Sequence, residues 1–265
     1  MSWAEIKHAV NSTLGTNEFN TIDEIVKMQT ENTYYEMVSA MADIIPDSNV
    51  LVVPPQKDVP FGEYQETNYQ RAVLPYGIEG IGALAFYKCK NLKGVNIPSS
   101  VKEIQSAAFQ ESTIERLVIP NGVTTIPEEM CYGCQFLEGV SIPETVTSIG
   151  KNAFNACSKM KSIKIPDSVT SIGIRAFNAC GFSPTVVIGN GVYEIGAYAF
   201  AYCGSLVRMF IPTSVKIIGR GMLAECVNFQ DVYYAGTESE WEDVYKESAN
   251  EVLTNATIHY NATLN

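Results

Sequence analysis

A two-residue step, isoleucine followed by proline, recurs along most of this chain at a nearly constant interval, and that interval governs what the chain can fold into. The steps are Leu74-Pro75, Ile97-Pro98, Ile119-Pro120, Ile142-Pro143, Ile165-Pro166, Ile188-Gly189 and Ile211-Pro212, spaced 23, 22, 23, 23, 23 and 23 residues apart. Each unit reads approximately I-P-x-x-V-x-x-I-G-x-x-A-F-x-x-C-x-x-L-x-x-V-x, with 142–164 the cleanest copy, and seven units run from Leu74 to Tyr233. Position five is Ile78, Val101, Val123, Val146, Val169, Val192 and Val215, and position eight is isoleucine from Ile81 to Ile218. Position thirteen is Phe86, Phe109, Cys131, Phe154, Phe177, Phe200 and Leu223. A unit this short cannot cover its own apolar face, so neighbouring units must stack and turn these positions into ladders.

One short strand per unit is expected near the end of each unit, for example over Met160–Ile165, with inward and outward residues alternating. Proline ends it, having no N–H for a ladder. The glycine after position eight (Gly82, Gly150, Gly173, Gly196, Gly219) is expected to supply a turn conformation that other residues adopt only at a cost. Gln105 and Pro127 replace it in units two and three.

The I-P-x-x-V-T-x-I-G-x-x-A-F-x-x-C-x-x-L pattern resembles the BspA-like leucine-rich repeats of bacterial and protist surface proteins, over residues 74–233. The tail Tyr234–Trp241 resembles the segment that often follows the last repeat in that family. The resemblance implies adhesion or ligand binding to a protein or glycan, no common enzymatic activity and no cofactor. The fold expected is an α+β repeat: a right-handed leucine-rich-repeat solenoid of short parallel strands and turns. Residues 1–73 form a helical or irregular N-terminal cap, 74–233 the seven repeats, and 234–265 a C-terminal cap. In the cap, Trp3, Ile6, Val10 and Leu14 share a helical face with Gly15 as the stop, and a second helix starts near Thr21. Such helices offer a route to oligomers. Val50-Leu51-Val52-Val53 is a candidate first strand.

Residues 3–15 also resemble short N-terminal modules of phage and prophage tail-region proteins. That resemblance implies a tail-associated binding module; a bacterial cell-surface adhesin is the alternative. The start, Met1-Ser2-Trp3-Ala4-Glu5-Ile6-Lys7, lacks the basic and apolar pattern of a secretory leader, so cytoplasmic synthesis is expected, with virion association or, in the alternative, a cell-surface location. No window approaches the length of a membrane span.

Charge excludes one class of partner. Residues 1–73 carry 11 acids and 4 bases, 74–233 carry 12 and 13, and 234–265 carry 6 and 1, which together give the net −11. No basic stripe is present to meet nucleic-acid phosphates. The only histidines, His8 and His259, stand near opposite ends of the chain and give no nucleophile–base or metal spacing. Six of the seven cysteines (Cys89, Cys134, Cys157, Cys180, Cys203, Cys226) occupy position sixteen, which makes them a packed column of free thiols; Cys131, which completes C-x-x-C with Cys134, stands where the repeat puts phenylalanine. The glycine-rich run Gly77–Gly82 has its isoleucines in the ladder and reads as repeat, not as a phosphate loop. The acids Glu128, Glu129, Glu238, Glu240, Glu242 and Asp243 read as solvated surface.

The outward strand positions carry the candidate contact face. Position 23 runs Asn96, Val118, Ser141, Lys164, Val187, Phe210, Tyr233, becoming apolar and aromatic toward the C-terminal end, with Arg208 beside Phe210. Lys164, Val187, Arg208, Phe210 and Tyr233 are therefore the predicted ligand-contact residues. The competing expectation is that the tail, with Trp241 and Tyr245, folds over this patch as a cap.

Overall fold

A computed structural model describes residues 50–54 and 56–263 of the chain. They form a parallel β-solenoid of about nine turns. Two strand columns run along it. The first comprises β1 (Val50–Val52), β3 (Arg71–Val73), β5 (Gly94–Asn96), β7 (Arg116–Val118), β9 (Gly139–Ser141), β12 (Thr185–Val187), β14 (Arg208–Ile211), β16 (Asp231–Tyr234) and β18 (Thr257–His259). The second is made of two-residue strands: β2 (Asp58–Val59), β4 (Gly80–Ile81), β6 (Glu103–Ile104), β8 (Thr125–Ile126), β10 (Ser148–Ile149), β11 (Ser171–Ile172), β13 (Glu194–Ile195), β15 (Ile217–Ile218) and β17 (Tyr245–Lys246). All strand pairs are parallel, each joining one turn to the next in repeat register, as in Phe210↔Tyr233 and Ile149↔Ile172.

The ladders expected from the repeat form the core. Positions five, eight and thirteen are buried in all seven units, none more than 4% exposed. The rings of position thirteen stack face to face: Phe86 on Phe109 at 5.5 Å, Phe154 on Phe177 at 5.4 Å, Phe177 on Phe200 at 5.3 Å. Cys131 interrupts the stack between Phe109 and Phe154. The expected first strand is β1, which pairs with β3, and β18 pairs with β16, so parallel pairing continues beyond both ends of the Ile-Pro series. The helices expected at the N-terminus lie outside the described residues.

Three expectations change. First, the described repeats contain no helix; the two short helices, α1 (Glu238–Glu242) and α2 (Glu251–Thr254), follow the last repeat. The reason lies at positions eleven and fifteen. Position eleven (Leu84, Ala107, Glu129, Asn152, Arg175, Tyr198, Gly221) and position fifteen (Lys88, Glu111, Gly133, Ala156, Ala179, Tyr202, Glu225) all have positive φ, between 53° and 70°. Two left-handed residues four apart break any helix and turn the chain twice. N–H groups at positions eleven, thirteen and fifteen then donate to the next turn, as in Asn152 to Ile174 O (2.9 Å), Phe154 to Ala176 O (2.8 Å) and Ala156 to Asn178 O (2.8 Å). Ala156→Gly and Ala179→Gly should each raise stability by about 0.5–1 kcal/mol, the relief of left-handed strain less the extra entropy of an unfolded glycine. Denaturant midpoints check this, and a loss of stability would show that the methyl groups pack more than they strain.

Second, the position-nine glycines are not left-handed. They sit where a turn runs against the backbone of the turn before it. A Cβ on Gly173 would stand 2.6 Å from Lys151 N and 2.7 Å from Gly150 C, and on Gly196 2.7 Å from Gly173 C. Third, the strand expected over Met160–Ile165 shrinks to a single bridge, Lys164↔Val187. Lys161, Ser162 and Lys164 give that segment little β-propensity.

Both columns are also interrupted along one seam. β5 does not ladder with β7, nor β6 with β8, so residues 94–104 face 116–126 without strand pairing. In other units the position-nine N–H donates to the preceding turn, as Gly150 does to Ile126 O and Gly173 to Ile149 O, both 2.8 Å; Pro127 has no N–H to give. The unit before it, 97–118, is also the one that is a residue short. Shallow grooves of about 400 Å³ (Tyr76, Val95, Ile97, Val118, Pro120) and about 510 Å³ (Lys102, Ile104, Thr125, Pro127) open along this seam.

Candidate contact face

The first strand column places the predicted residues together. Lys164 bridges Val187, Val187 pairs with Phe210, Phe210 with Tyr233, and Tyr233 with His259. In β14 and β16 the middle residues Met209 and Val232 are fully buried, which turns position 21 and position 23 outward. Stacked rungs bring equivalent side chains directly over one another. The Phe210 and Tyr233 rings stack at 4.7 Å, and Tyr233 and His259 at 4.5 Å. His259 Nε2 lies 2.8 Å from Asp231 Oδ1, which fixes the imidazole in the column. Lys164 is peripheral: its side chain is largely exposed, and its Nζ lies 3.1 Å from Glu144 Oε1.

Arg208 stands beside this column, two residues before Phe210. Its Nε is buried and has no hydrogen-bond partner, an uncommon situation for a charged donor. Sequence reasoning missed His259 and Asp231. The signal was faint: Thr257-Ile258-His259 repeats the polar–apolar–aromatic order of Asp231-Val232-Tyr233, but the preceding spacing of 26 residues lies outside the repeat period.

The tail does not fold over the patch. It caps the solenoid by extending it: β17 joins β15, β18 joins β16, and Trp241 of α1 is buried beneath the column against Tyr234, ring centroids 5.0 Å apart. Tyr245 stands exposed on β17, in the other column. A tail that adds rungs leaves the outward face of β14 and β16 uncovered by described residues.

The chemistry elsewhere is that of a core. All seven cysteines are free and buried. Cys157, Cys180, Cys203 and Cys226 each direct Sγ to a backbone carbonyl of a preceding turn, at 3.0–3.3 Å. Burial pushes the Cys157 and Cys180 thiols well above the ordinary range, so they stay protonated and unreactive. Alkylation of the native protein should be slow, and alkylation in denaturant without reductant should add seven groups; fewer would reveal a disulfide or a bound modification. Among the described residues no group of three or more His, Cys, Asp or Glu side chains is arranged to hold a metal ion. No helix among them is long and apolar enough to cross a membrane.

Comparison with known proteins gives a consistent family. No curated protein matches the chain. Among solved structures, a Treponema pallidum leucine-rich repeat protein shares 22% identity at TM-score 0.50, covering 76% of this chain and 86% of its own. A leucine-rich repeat protein from Bacteroides ovatus shares 18% at TM-score 0.47, covering 79% and 69%. A leucine-rich cell surface protein from Faecalibacterium prausnitzii shares 20% at TM-score 0.32, covering 76% and 91%. The BspA type leucine-rich repeat region matches in six copies across residues 57–180 and 124–250. With more than half of its length covered in this way, the chain belongs to the BspA-type leucine-rich repeat family.

Proposed function

We propose that the chain is a non-catalytic scaffold that binds a protein or glycan through the outward face of β12, β14 and β16. The observation that carries this reading is the stacked ring column of Phe210 and Tyr233, partly exposed beside Arg208. Tyrosine and arginine dominate interface energies. The family is one of binding scaffolds, which supports this reading. As the setting we propose a phage or prophage tail, with a cell-surface adhesin as the alternative. The first rests on the sequence of residues 3–15 alone, and neighbouring tail genes or an export signal separate the two.

The test is binding to glycan and protein arrays, repeated with Phe210→Ala/Tyr233→Ala. The double variant is expected to lose binding to whatever the parent retains. Both rings are only half-buried, so the fall in melting temperature should be modest and smaller than for a fully buried ring such as Phe177. Unchanged binding, or a collapse of thermal stability, would overturn the assignment of this face.

A further inference from the structure

We draw no further inference here: the strongest candidate, the shallow groove between β5 and β7 that the exposed side chains of Tyr76 and Val118 flank, is an unpartnered apolar surface, and nothing in the structure shows what covers it.

Discussion

Replacing Phe177 with alanine is expected to destabilise the solenoid by roughly 3–5 kcal/mol, the range for removing a fully buried ring and leaving a cavity. The ring is 0% exposed and sits between two others, 5.4 Å from Phe154 and 5.3 Å from Phe200, with Phe182 tilted against it at 5.8 Å. Each turn is held only by its neighbours, so the loss falls on two turn–turn interfaces at once. Ser162→Ala, in the preceding unit and on the exposed side of its turn, should stay within about 0.5 kcal/mol. Urea or guanidinium midpoints measure both. Similar effects at the two sites would mean that the register of the ladders is wrong.

The second large effect is expected at Gly173→Ala. The added methyl carbon would lie 2.6 Å from Lys151 N, 2.7 Å from Gly150 C and 2.9 Å from Ile149 O. All three are backbone atoms, so no side chain can swing aside; two turns must separate. The ladder bond from Gly173 N–H to Ile149 O, 2.8 Å, lengthens with them. Overpacking of this kind costs about 1–3 kcal/mol where side chains yield, and the upper end or beyond is expected where they cannot. Gly139→Ala is the control, since a Cβ there meets nothing within 4 Å and no positive φ is involved. If Gly173→Ala is as mild as Gly139→Ala, the close approach of turns is not what requires glycine at position nine.

The buried ladders were legible because burial repeats: a valine, isoleucine or phenylalanine every 23 residues can only be a stacked column. The left-handed pair at positions eleven and fifteen was not legible. Leu84, Ala107, Arg175, Tyr198 and Tyr202 are not residues that announce positive φ; the hydrogen bonds from one turn to the next impose it. The glycines misled for the complementary reason. Glycine permits both a left-handed backbone and a close approach, and only geometry tells which is in use. Of the contact face, Val187, Arg208, Phe210 and Tyr233 followed from strand alternation. His259 and Asp231 did not, because the final turn is three residues longer than the usual 23 and slips out of the repeat frame.

At the seam between residues 94–104 and 116–126 strand pairing lapses in both columns at once. Across it, the backbone is joined mainly on the turn side, by Ala107 N–H to Glu128 O, Phe109 N–H to Met130 O and Glu111 N–H to Tyr132 O, with Glu115 N–H to Lys93 O at its start. The strand edges there open onto grooves, while one continuous hydrophobic core runs beneath them. What one proline and one missing residue remove is ladder bonding alone; side-chain packing holds the tube together across the gap.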